Sequence, residues 1–356
     1  MTGRLPVRPN LAAMGGYHSP QVPAAVRLNT NESPYPPPDS WHDELVAELA
    51  RIEFNRYPDR QAHGLRQALA ELHGVGPDEV FCANGSNEVL QTLLLAYGGP
   101  GRRAAIFEPT YALHSHICRL TGTMKVGAER DEGFGIDPTV AEGLLRREEP
   151  EITFLCSPNN PTGAADPPAL VEGLLGMPTG LLVVDEAYGQ FSRCSALDQR
   201  AGRGGERLVV VRTFSKTWAM AAARLGYLVA DPEVVAGCEA ASLPYHLSAM
   251  AQVAGRLALR HQDEMERRVA MIAEERGRLA ARLADLAVTI WPSDANFILF
   301  RPLDHSGGEV WKQLVDRSVL IRDCSSWTGL GGCLRVTVGT PAENDRFLEA
   351  LAGVLR

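Results

Sequence analysis

Three short apolar runs, each closing on a polar loop, constrain this chain more than any other feature. Ile152–Cys156 leads into Ser157-Pro158-Asn159-Asn160-Pro161-Thr162-Gly163. Leu181-Leu182-Val183-Val184 leads into Asp185-Glu186-Ala187-Tyr188, and Leu208-Val209-Val210-Val211 into Arg212-Thr213-Phe214-Ser215-Lys216. Further apolar runs lie at 80–83 and 104–107. Runs of this length bounded by turn residues suit strands buried on both faces of a mostly parallel sheet. Segments 65–72 and 88–97 have helical spacing, and the alternation implies an α/β fold. Its polar loops then sit at the carboxyl ends of the strands, where such sheets bind ligands.

The flanks read differently. The first forty residues, with Pro34 and Pro36-Pro37-Pro38, form an extended arm. Between 247 and 286 there is no proline and only two glycines, which predicts one broken helix or two consecutive ones. Segments 295–300 and 333–338 are strand-like, and 343–355 reads as a terminal helix just past Pro341. The expected architecture is a large domain over 41–245, with a mostly parallel central sheet flanked by helices. A smaller α+β domain is built from both chain ends, the arm over 1–40 and the segment 246–356.

A net charge of −8 without any offsetting basic block argues against nucleic acid or a membrane surface as partner. The seven cysteines contain no C-x-x-C pair and mostly sit in apolar stretches, as reduced buried thiols do. No signal pattern and no apolar stretch of about 18 residues is present, so the cytoplasm is the expected compartment.

Only three lysines, at 125, 216 and 312, stand beside 32 arginines. A lysine amine can do what a guanidinium cannot: condense with an aldehyde to a Schiff base. Lys216 follows a strand and has the hydroxyls of Thr213 and Ser215 beside it. Arg224, eight residues on, is expected about two helical turns away. Asp185, at the end of its strand, suits a protonated pyridine nitrogen, because the opposite charge keeps a buried carboxylate ionised. Tyr188 can reach the same ring. The Asn160 amide can donate to a phenolic oxygen, with Asn159 as the neighbouring alternative, and Glu186 reads as structural. Gly85-Ser86-Asn87-Glu88 opens a helix, where free N–H groups suit a phosphate dianion. Tyr111, after the next strand, would stack on a ring. Together these residues read as a pyridoxal 5'-phosphate (PLP) site.

The order of Gly85-Ser86-Asn87-Glu88, Pro109-Thr110-Tyr111, Ser157 to Gly163, Val183 to Tyr188, Thr213 to Lys216 and Leu334 to Thr340 resembles fold-type I PLP-dependent transferases, the class I/II aminotransferases. Leu28 to Tyr35, Arg56-Tyr57-Pro58-Asp59, Leu243 to His246, Ala295-Asn296-Phe297 and Ile321-Arg322-Asp323 are most similar to the histidinol-phosphate aminotransferase branch. The resemblance runs from about Arg8 to Leu355. It implies that Lys216 carries the cofactor and moves the substrate proton, and that Asp185 pairs with the pyridine nitrogen. Asn160 and Tyr188 would bind the phenolic oxygen, and Tyr111 would cover the ring. Ser86, Asn87, Thr213, Ser215 and Arg224 would hold the phosphate, joined by Tyr57 from a second subunit of a homodimer. Asn31, Arg335, Arg322 and Tyr17 would serve the substrate. Ser33, Pro36, Pro20-Gln21 and His246 depart from the pattern, with His246 read as a structural histidine.

The expected reaction is transamination of imidazole acetol phosphate with L-glutamate to L-histidinol phosphate and 2-oxoglutarate. One pocket must then take both a phosphate ester and a dicarboxylate, which arginine forks do. An aromatic amino-acid aminotransferase and a PLP-dependent decarboxylase of a phosphorylated amino acid are the competing enzymes. A PLP-fold regulator would need a DNA-binding segment for which the acidic chain has no room.

Overall fold

The computed structural model describes residues 7, 8, 11, 22–177 and 179–356. Its strands are β1 (Val26–Leu28), β2 (Val80–Ala83), β3 (Arg103–Glu108), β4 (Met124–Glu129), β5 (Ile152–Cys156) and β6 (Leu181–Asp185). They continue as β7 (Leu208–Thr213), β8 (Gly226–Val229), β9 (Val288–Ile290), β10 (Phe297–Pro302), β11 (Val319–Asp323) and β12 (Leu334–Thr337). Seven form one sheet in the order β2-β8-β7-β6-β5-β3-β4, and five form a second in the order β1-β11-β12-β10-β9.

In the larger sheet, β3 to β7 pair in parallel, and only β8 runs against its neighbours. Alternate side chains of each central strand enter opposite cores. Val183, Val209 and Val211 pack with Phe154 under helices 86–96 and 112–121, while Leu182, Val184, Leu208 and Val210 pack with Phe107 and Leu155 on the other face. Both faces are dry, which is why these strands read as continuous apolar runs. Each such side chain contributes about 1.5–3 kcal/mol by burial.

β1 joins the second sheet by parallel pairing of Val26 with Val319, although the two are far apart in sequence. Helices Gln262–Ala284 and Pro341–Val354 cover this sheet. Segment 247–286 is two consecutive helices, Ala249–Ala258 and Gln262–Ala284, separated by a single 3₁₀ turn. The first packs with helices 39–49 and 63–73 against β2 and β8, the second against the smaller sheet. The terminal helix begins at Pro341, two residues before the expected start. There Thr340 and Glu343 cap each other's backbone N–H, satisfying two donors that the helix start would otherwise leave open.

All seven cysteines are free and only Cys194 is exposed. No helix among the described residues is long and apolar enough to cross a membrane.

Candidate active site

The carboxyl ends of β5, β6 and β7, the start of helix 86–96 and the facing edge of the smaller sheet enclose a cavity of about 440 Å³. Lining it are Asn31, Ser86, Asn87, Tyr111, Asn160, Asp185, Tyr188, Thr213, Ser215, Lys216, Arg224, Arg322 and Arg335. The sequence reading had marked every one of these. Tyr57 lies outside the cavity, 81% exposed, with its ring stacked on Tyr245 at 4.5 Å. Tyr17 and the Pro20-Gln21 pair fall outside the described residues.

Asp185 is 1% exposed. One carboxylate oxygen accepts from His114 Nε2 at 3.1 Å and the other from the Ala187 N–H at 3.1 Å. His114 stacks on Phe154, and its Nδ1 is buried without a hydrogen-bond partner, so the proton belongs on Nε2. The sequence reading missed His114. Its one signal is that it lies three residues, about one helical turn, beyond Tyr111. Glu186 turns away from the cavity into a buried ion pair with Arg212 at 2.8 Å, which ties the end of β6 to that of β7.

Lys216 Nζ donates to the Thr30 carbonyl at 2.9 Å. Burial, with Arg335 and Arg224 adding positive charge and Glu32 opposing them, lowers its pKa to about 7. The amine is therefore substantially neutral at neutral pH. Burial pushes the Tyr188 phenol well above its usual range, so Tyr188 remains a hydroxyl and accepts from Asn31 Nδ2 at 2.9 Å.

At the phosphate-type end, the Gly85 backbone has φ +82°, and a Cβ there would lie 2.7 Å from Arg224 Nη2. Glycine is what permits the arginine to close over the helix start. The Thr213 and Ser215 hydroxyls meet at 3.0 Å, and Arg224 Nη1 reaches Ser215 Oγ at 3.4 Å. Arg224 is not two helical turns beyond Lys216, as the spacing suggested. The chain folds back through a 3₁₀ turn at Ala221–Ala223, and Arg224 itself takes φ +49°. A left-handed residue ends the turn and brings the guanidinium back.

The two asparagines of the 157–163 loop separate cleanly. Asn159 is fully buried, and its amide donates to Pro109 O at 3.0 Å and Thr162 Oγ1 at 2.9 Å while accepting from Thr110 at 2.8 Å. It holds the loop. Asn160 lines the cavity, and its Oδ1 accepts from Arg335 Nη1, which leaves the Asn160 NH₂ for a ligand. His246 has its ring nitrogens against the Leu243 and Cys82 carbonyls at 3.1 and 2.9 Å, away from the cavity, as a structural histidine does.

Arg335 also donates to Asn29 O at 2.9 Å and lies over Phe297. Directly across the ladder is Arg322, whose guanidinium lies over Trp327, another cavity residue that the sequence reading did not single out. Like charges facing each other on a sheet repel. Two guanidiniums at one register position therefore suit an anionic ligand.

Residues 23–351 match the aminotransferase class I and II family. A histidinol-phosphate aminotransferase of Frankia casuarinae is 45% identical, the match covering 99% of this chain and 90% of that one. That of Corynebacterium efficiens is 42% identical over 98% and 95%. Among solved structures, the histidinol-phosphate aminotransferase of Sinorhizobium meliloti in complex with pyridoxal-5'-phosphate superposes with a TM-score of 0.89. It is 24% identical and covers 100% of this chain and 99% of that one. The L-threonine-O-3-phosphate decarboxylase of Porphyromonas gingivalis gives 0.82 at 26% identity, covering 93% and 99%. With the strand order, the buried lysine and aspartate and the paired arginines in one cavity, these matches make the chain a member of the histidinol-phosphate aminotransferase family of class I and II aminotransferases.

Proposed function

We propose that this chain uses pyridoxal 5'-phosphate to transfer an amino group from L-glutamate to imidazole acetol phosphate, yielding L-histidinol phosphate and 2-oxoglutarate. The observation that carries the reading is one cavity joining a near-neutral buried lysine, a buried aspartate and a cross-strand arginine pair.

The residues fit the cofactor. Asp185 offers a buried carboxylate whose two oxygens are already oriented, as a pyridine N–H requires. Ser86, Asn87, Thr213, Ser215 and Arg224 make a cradle that a side chain at Gly85 would fill. When bound, the cofactor supplies an electron sink and carries the amino group between the two half-reactions. Lys216 Nζ, held by the Thr30 carbonyl and lowered to about 7, is the amine that would hold the cofactor and, once displaced by the substrate amine, would be free to take and return the proton of the substrate α-carbon. Asn160 Nδ2 and the Tyr188 hydroxyl would hold the phenolic oxygen of the ring, and Tyr111 would lie against it. Arg322 and Arg335 bind the substrate's phosphate, or a carboxylate of glutamate in the other half-reaction. Asn31 lines the cavity, with its side chain spanning Tyr188 and Thr337. Tyr17 would complete the substrate end.

The working unit would be a cytoplasmic homodimer. Tyr57 would reach the phosphate of a second copy, and the exposed Phe54, Leu243 and Tyr245 beside it offer an apolar face for that contact. The division into 41–245 and 246–356, with the arm over 1–40, belongs to the same proposal, with the helix Ala249–Ala258 packed on the larger sheet beyond that boundary.

The test is an absorbance titration of the PLP-loaded protein with histidinol phosphate beside phenylalanine. Fast conversion of the cofactor band by histidinol phosphate, far slower with phenylalanine, is the expected result. An equal or faster response to phenylalanine would make this an aromatic transaminase. Carbon dioxide released from a phosphorylated amino acid such as L-threonine O-3-phosphate, run alongside because histidinol phosphate has no carboxylate to lose, would make it a decarboxylase.

A further inference from the structure

We propose that Trp327 is a positioning residue for phosphate recognition: its indole holds the Arg322 guanidinium in the cavity, opposite Arg335. The inference rests on the substrate reading above.

The loop that carries Trp327 closes β11 onto β12. Cys324 donates to the Cys333 carbonyl at 3.0 Å, continuing the register one pair beyond Asp323 and Leu334. Inside it, Trp327 N–H donates to Cys324 O at 3.0 Å, Leu330 N–H to Trp327 O at 3.1 Å and Cys333 N–H to Leu330 O at 2.9 Å. Successive tight turns leave this segment little freedom. Its apolar side chains Cys324, Leu330 and Cys333 are buried with Phe134 and Leu299, and the indole packs against that cluster. The ring is therefore backed by core rather than hung on a loose loop.

On that backing, the Arg322 guanidinium carbon sits 5.8 Å from the ring centroid, within range of a cation–π contact. Arg335 sits 5.1 Å over Phe297 and is further tied to Asn160 and Asn29. The two arginines facing each other across the ladder thus each rest on an aromatic ring. The platform opposes the like-charge repulsion from Arg335 across the ladder. With it, two guanidiniums stay side by side before the dianion arrives, and the ordering cost falls outside the binding step.

The test measures KM and kcat of the holoenzyme for histidinol phosphate and for phosphate-free histidinol. Trp327→Leu should raise KM for histidinol phosphate about tenfold with kcat within about twofold, and change KM for histidinol less than about twofold. Trp327→Tyr, which keeps a ring face, should restore KM to within about threefold of the parent. In an Arg322→Gln background, Trp327→Leu should add nothing further. Equal KM increases for both substrates, or additive effects in the double variant, would overturn the proposal. An unchanged cofactor band and melting temperature exclude misfolding as the cause. If the parent protein does not turn over histidinol phosphate, the substrate reading fails. Calorimetric titration of the holoenzyme with inorganic phosphate then still tests the platform: binding about tenfold weaker in Trp327→Leu supports it, and unchanged binding overturns it.

Discussion

The two walls of the cavity are built by different physics. The wall from the seven-stranded sheet takes its residues from strand ends and a helix start, within short stretches of chain: Ser86 and Asn87, Asp185 and Tyr188, Thr213 to Lys216. Buried contacts within the larger sheet and its helices, such as His114 to Asp185 and Arg212 to Glu186, hold them. The wall from the five-stranded sheet takes Asn29 to Glu32 from the exit of β1 and its arginines from β11 and β12, some 300 residues later. Those groups are placed by pairing between distant segments. The first wall is suited to a constant ligand, and the second to ligands that change between half-reactions. Substitutions on the first should move kcat and the cofactor spectrum, and on the second KM.

The largest effect is expected at the centre of the first wall. Lys216→Ala should lower single-turnover transamination by at least about 10³-fold, because it removes the group proposed as both nucleophile and base. It should also abolish the Schiff-base absorbance while leaving cofactor retained by the phosphate cradle. On the second wall, Arg335→Ala strips a buried charge of its place and leaves Asn160 Oδ1 and Asn29 O without their donor. KM for histidinol phosphate should rise about 30-fold or more, in line with the roughly 2–5 kcal/mol lost when a buried charged contact is truncated. A comparable fall in kcat would mean that the walls are not separable. His114→Phe sharpens the comparison, since it reaches the first wall without touching the cavity. Losing a hydrogen bond to a charged group costs about 1.5–3 kcal/mol. The expected outcome is roughly a tenfold or greater fall in kcat with KM nearly unchanged, read from steady-state kinetics.

Acidity gives a smaller, graded test. The neutral amine is the reactive form, and the pKa of Lys216 lies near 7. Uptake of the aldehyde by the cofactor-free protein should speed up as pH rises through about 7 and then level off. Because the folded state holds this proton less tightly than the unfolded chain, the cofactor-free protein should also gain stability from this group as pH rises from about 7 toward the ordinary lysine range. A rate that keeps climbing to pH 10 would mean that burial does not depress this amine.

Legibility in the sequence followed the same division. Strands β2, β3, β5, β6 and β7 were readable because both faces are dry and the runs are continuous. β4 was not, since it is an edge strand whose residues alternate between exposed and partly covered. β1 and β9 span only three residues each, too few to carry a period. Lys216, Asp185 and Tyr188 announced themselves by position after a strand. His114 did not, because a histidine on an amphipathic helix has no mark until Asp185 lies behind it. Trp327 and the carbonyl of Thr30 were equally silent: their role exists only once β1 lies along β11 and the two arginines face each other. Arg224 lines the cavity, but not by the helical route that the spacing suggests, because the left-handed turn that returns it has no apolar pattern.

The pairing of Val26 with Val319 also governs when the site can come into being. A chain emerging from the ribosome can assemble the larger sheet once residue 229 is available, and with it Asp185, Lys216 and the phosphate cradle. The carbonyl of Thr30, which holds the Lys216 amine, comes from the oldest part of the chain yet waits for nearly the newest to fix it. Contacts of such long sequence separation are costly to close and form late. In a nascent chain the strands of the first wall are therefore available well before the pairing that sets the two arginines of the second.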